Sequence, residues 1–112
     1  MKYSIEETEK CLILAIEGSI SDDYLRDIRD AFERVVSAEK DVVLNLSEVT
    51  FVSSSGLGLI FYTNARLQKI GRRIVIAGAT DVIRRLFSVT RIDNHIMMCS
   101  DNNEALSELG YL

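Results

Sequence analysis

An open, largely parallel α/β sheet is the fold that this sequence predicts, from three observations. Short apolar runs with strand character alternate with segments whose apolar residues recur at helical spacing. One of those runs, DVVLNL at 41–46, is apolar without alternation, as a strand covered on both faces would be. Apolar residues make up 47% of the 112, and at that length one domain across 1–112 buries about two thirds of the surface its unfolded form exposes. Because each crossover helix must cover the face its strands leave apolar, the alternation implies a single sheet with helices packed on it.

The elements follow in order. Residues 3–6 and 11–17 (CLILAIE) read as strands joined by a short charged turn. From Asp22 to Val36, Leu25, Ile28, Phe32, Val35 and Val36 fall on one helical face, with Ser21 as N-cap and Asp22 and Asp23 at the positive end of the helix dipole. After the strand at 41–46, a second helix is expected from about Ser55 to Ile70, stopped by Gly71. RIVIA at 73–77 is a strand, and Thr80 caps a short helix with the stripe Val82, Ile83, Leu86 and Phe87. HIMMC at 95–99 reads as a fifth strand, and 102–109 as a last helix with Ala105, Leu106 and Leu109 inward. The order is β β α β α β α β α.

Composition narrows the function. Thirteen Lys and Arg against seventeen Asp and Glu give a charge of −4, with the basic residues scattered apart from pairs such as Arg72-Arg73 and Arg84-Arg85, so a nucleic-acid partner is disfavoured. The longest apolar run, CLILAI, is far short of a bilayer span and the start carries no leader pattern, which predicts a cytoplasmic protein with no membrane insertion. Cys11 and Cys99 sit in apolar runs without C-x-x-C spacing and read as buried free thiols. His95, the only histidine, has no partner at metal-ligand spacing, so no metal site or cofactor is expected.

The most unusual stretch is FVSSSGLG at 51–58, three serines and two glycines where a strand hands over to a helix. A helix start leaves several N–H groups unpaired and one serine hydroxyl can accept one of them, so Ser53, Ser54 and Ser55 are more than a cap requires. Gly56 and Gly58 would let the helix approach the sheet closely. Enzyme patterns fail on spacing. A nucleophile elbow around Ser54 meets Val52 where a glycine belongs, and the phosphate-loop pattern has no Gly-Lys pair. Asp22 and Asp23 are adjacent, hence on different faces of a helix, and make a poor catalytic pair. No catalytic residue is expected.

The stretch VVLNLSEVTFVSSSGLGLIFYTNARLQKIGRRIVIAGATDVIRRLFSVT, followed by IDNHIMM and a last short helix, resembles the STAS domain of bacterial anti-sigma factor antagonists. The upstream LILAIEGSIS fits the same family, so the resemblance covers essentially the whole chain. It implies a single domain with about five strands and four helices. It also implies a partner-switching module, which binds an anti-sigma factor that is also a serine kinase, is phosphorylated by it in a D-S-S-G turn, and is restored by a phosphatase. Aligned on that turn, Ser54 is the phosphoacceptor, with Ser53 and Ser55 the alternatives. The implied partner face comprises Ser21, Asp22, Asp23, Ser53, Ser55, Gly56, Leu57, Gly58, Leu59 and Tyr62, with one of Leu57 and Leu59 accessible. Two family acids are replaced: Ser53 stands for the turn's leading Asp, and Ser21 for the Asp of the G-x-[LI]-D segment, leaving Asp22 as a neighbouring substitute. The competing implication is a stand-alone STAS subunit that regulates a lipid or anion transporter without a phosphoswitch.

Overall fold

The computed structural model describes residues 1–112. Five strands form one sheet in the order β1-β2-β3-β4-β5: Lys2–Glu7, Cys11–Ile20, Asp41–Val52, Ile74–Ala77 and Met97–Cys99. The β1–β2 hairpin is antiparallel and every other pairing is parallel. Four α-helices connect and cover the strands: α1 Leu25–Ser37, α2 Ser54–Gln68, α3 Asp81–Val89 and α4 Asn102–Glu108. The expected α/β fold and element order are therefore observed.

Strand residues that alternate in sequence feed two cores. Leu12, Leu14, Val42, Leu44, Ile74 and Ile76 face α1, α2 and α3 in the main core, together with Phe32, Ile60 and Phe87. Their neighbours Val43, Val75, Ala77 and Cys99 point the other way, onto Ala105 of α4. The central strands are covered on both faces because parallel crossovers put helices there. Cys11 and Cys99 are both buried and unbridged.

Several boundaries differ from the expectation, each for a physical reason. The strand expected at 41–46 runs on to Val52. Beyond Asn45 it has lost β4 but keeps β2, so its outward residues Ser47, Glu48, Thr50 and Phe51 are exposed and the apolar run breaks. The helix expected from Asp22 begins instead with a single 3-10 turn, Asp22–Tyr24, and Ser21 makes no side-chain cap bond. HIMMC is only half strand, because Ile92–Asn94 forms another 3-10 turn and pairing starts at Met97. Thr80 caps α3 as expected, accepting from the Ile83 amide. Gly71 follows α2 at φ +76, and Arg72 donates back to the Leu67 carbonyl, which closes the helix.

Candidate functional site

The extension of β3 carries the serine run out to the end of the sheet where β2 also finishes. There the Ser53 amide donates to the Ile20 carbonyl at 2.8 Å, tying the two strand exits together. Ser53 keeps an extended backbone and is the N-cap of α2: its Oγ accepts from the Gly56 amide at 3.0 Å. The same hydroxyl donates to Asp22 Oδ1 at 3.2 Å. The chain thus has a carboxylate at the turn, delivered from the neighbouring 3-10 segment rather than from position 53 or 21.

With the cap assigned to Ser53, neither Ser54 nor Ser55 is needed for it, and both are exposed in the first turn of α2. That turn contains no acidic side chain, so the positive end of the helix dipole is offset only from outside, by Asp22. Asp23 is exposed beside it. A phosphoryl group on Ser54 would meet the helix N-terminus favourably, yet add its charge close to existing carboxylates.

The remaining partner-face candidates divide by the helical period. Gly56 is buried, and a Cβ there would lie 2.7 Å from Ile20 Cγ2 and 3.2 Å from Val52 Cγ1, so this glycine seats the helix against the sheet. Leu57 is also buried, at 6% exposure, and belongs to the core. In the unbound chain these two residues underlie the face rather than project from it. Gly58 corrects a different expectation: it is exposed with nothing within 4 Å of a built Cβ, so it makes no close approach to the sheet. Leu59 is half-buried, which makes it the accessible member of the leucine pair, and Tyr62 is 59% exposed.

Ser55, Leu59 and Tyr62 recur at helical spacing and face Leu25, Arg29 and Glu33 of α1 across a groove of about 580 Å³. The groove closes at its far end with Arg66, which pairs with Glu33 and stacks over the Tyr62 ring at 5.7 Å. The hydrogen bond from Arg66, with its charge, holds the Glu33 carboxyl below the usual range. Arg29, Glu33 and Arg66 were missed in sequence. The available signal was their four-residue spacing beside Leu25 and Tyr62, which single-helix reading does not join across two helices. Between Ser54 and Ala65, α2 carries no charged residue at all, although Gly58, Phe61 and Tyr62 are exposed. No group of three or more His, Cys, Asp or Glu side chains is placed to hold a metal ion, and no helix is long and apolar enough to cross a membrane.

Comparison with known proteins bears on the family and the fold. The sequence model of the STAS domain family matches residues 2–105. The anti-sigma-B factor antagonist of Staphylococcus aureus is 37% identical over 51 residues, a match spanning 46% of this chain and 47% of that one. An anti-sigma factor antagonist from Mycobacterium paratuberculosis superposes with a TM-score of 0.87 at 21% identity, over 96% of this chain and 92% of its own. The Bacillus antagonist SpoIIAA, in its unphosphorylated form, gives 0.84 at 18% identity over 99% and 98%; a phosphorylated form of the same protein is also known. At these identities the structural matches establish the fold.

Proposed function

The chain belongs to the STAS domain family, and from that premise we propose that it is an anti-sigma factor antagonist, a non-enzymatic cytoplasmic protein formed of one STAS domain across 1–112. It binds an anti-sigma factor that is also a serine kinase, and phosphorylation of Ser54 turns the binding off until a phosphatase reverses it. The observation that carries this reading is the division of labour among the three serines: Ser53 caps α2, leaving Ser54 exposed at the head of a helix that is uncharged for twelve residues. A surface helix normally faces water with charge. One that presents Gly58, Phe61 and Tyr62 instead is built to be covered by a partner.

Phosphorylation adds about 1.5 to 2 negative charges at neutral pH. The fold tolerates them, since the site is exposed and the cap is elsewhere. The interface does not, because a desolvated charge set against a surface made for a hydroxyl costs several kcal/mol unless a cation awaits it.

The test begins with the partner recovered on immobilised protein from native cells, then purified. Ser54→Ala binds it with wild-type affinity in titration calorimetry, Ser54→Asp binds at least about tenfold more weakly, and both give wild-type circular dichroism. Equal binding by Ser54→Asp, with no phosphorylated protein recovered from the cells, would overturn the switch. Recovery of an integral membrane transporter in place of a soluble kinase would favour the transporter-subunit reading.

A further inference from the structure

A second surface adjoins the serine run on the side away from α1. Where β3 outruns β4, its last residues and α3 bound an open groove of about 360 Å³, lined by Phe51, Val82, Leu86 and Val89. Three of these are well exposed: Phe51 at 53%, Val82 at 73% and Val89 at 74%. None of these three belongs to the core, which Phe87 serves from the other side of α3 and Ile83 from the floor of the groove. Large apolar side chains gathered at a sheet end, and not scattered singly, mark a surface that a partner covers.

The charges around the groove say what kind of partner. The chain carries a net charge of −4, yet Arg85 lines this groove and Arg91 is exposed just past the end of α3. Neither forms an ion pair: the only pairs are Lys40–Glu7 and Arg66–Glu33. Asp81, four residues before Arg85 on the same helix, is not engaged with it. An apolar groove edged by unpaired guanidinium groups suits a segment that is apolar on one side and acidic on the other.

Resting on the antagonist reading above, we propose that this groove is a second docking surface, which takes an acidic amphipathic segment of the anti-sigma partner. Its position explains how one phosphate could control both surfaces. Val52 lies immediately beyond Phe51 in the groove wall, and Ser54 follows two residues later. A phosphoryl group there adds its charge at that end of the groove and repels an acidic occupant. The α2 face loses its partner by desolvation, and the groove loses it by like-charge repulsion.

Photo-crosslinking separates this proposal from the reading beneath it. p-Benzoylphenylalanine is placed in the full chain at Phe51, in the groove, or at Tyr62, on α2, and irradiated in the protein's own cells. The expected result is the same anti-sigma factor captured from both positions, with the Phe51 crosslink mapping to a segment rich in Asp or Glu. Arg85→Glu and Val82→Glu each then weaken the purified complex by about tenfold, with unchanged circular dichroism because both side chains are exposed. Capture from Tyr62 alone would overturn the groove while the antagonist reading stands; capture from neither position would overturn both. A crosslink at Phe51 to a second copy of this chain, or to lipid only, would also overturn the proposal, by assigning the groove to self-association or to a membrane surface.

Discussion

At the scale of single residues, the site turns on which small side chain does which task. Ser53 supplies the cap and holds Asp22, so the chain keeps a carboxylate at the turn without an acid in the serine run itself. Gly56 and Gly58, two residues apart, are opposites. A Cβ on Gly56 would press on Ile20 Cγ2 at 2.7 Å and on the Ile20 carbonyl oxygen at 3.1 Å. Overpacking of that kind costs about 1–3 kcal/mol, more than the helix-propensity gain of at most about 1 kcal/mol. Gly56→Ala therefore destabilises in urea unfolding. Gly58→Ala meets nothing and keeps the propensity gain, so it unfolds at equal or higher urea, but its methyl stands on the uncovered face and weakens partner binding in calorimetry. A Gly56→Ala protein as stable as wild type would mean that the helix is not seated on β2 and β3 as described. The serine run stands out in sequence as a candidate site because it exceeds what a cap needs. Its internal assignment was not legible there, since choosing the cap among three neighbouring serines takes the φ/ψ of each.

At the scale of elements, α2 is the piece that joins core to surface. Leu57, Ile60 and Leu67 are buried, whereas Phe61 and Tyr62 are exposed, and no charge intervenes before Arg66. Leu57→Ala is expected to cost about 2–4 kcal/mol of stability as a buried leucine truncation. Tyr62→Asp removes only an exposed ring and its contact with Arg66, worth about 0.5–1 kcal/mol, yet lowers partner affinity by about tenfold. Thermal melts beside calorimetry separate the two, and a Tyr62→Asp protein that melts normally and still binds fully would remove α2 from the interface. Strands and helices that fill the core were readable from period alone, as at Val42 to Leu46 or Ile83 and Phe87. What escaped was structure that departs from two-sided burial. The second half of β3 pairs only with β2, so Ser47, Glu48, Thr50 and Phe51 look like loop; the entry to α1 tightens into a 3-10 turn that no apolar period marks.

At the scale of the molecule, the two ends of the sheet do different work. Asp41 opens β3 and Ser53 directly follows its last residue, so the two sit at opposite ends of the strand. The Asp41 end is a clasp: Asp41 accepts from the Arg73 amide at 3.0 Å and from the Tyr111 hydroxyl at 2.7 Å, while Lys40 bonds Glu7 and the Thr8 carbonyl. The Tyr111 bond secures the chain that follows α4 to the start of the central strand. Because this end shares no residue with the serine turn, changes at the two should be independent. Tyr111→Phe is predicted to lower stability by about 1 kcal/mol through the lost hydrogen bond, and to leave partner affinity unchanged. Its pH dependence has a definite sign. The hydrogen bond to Asp41, then burial and the Asp41 charge, raise the Tyr111 hydroxyl above its ordinary value of 10.0, so the folded state favours the neutral phenol. That stabilisation is complete below the unfolded value and is lost as the pH climbs through the folded one. The gap in urea midpoint between wild type and Tyr111→Phe should hence hold steady from neutrality to about pH 9 and narrow above about pH 10. A gap that stays constant through pH 11 would show that the hydroxyl is not held by Asp41. A loss of partner binding in Tyr111→Phe would show that the two ends of the sheet are coupled after all.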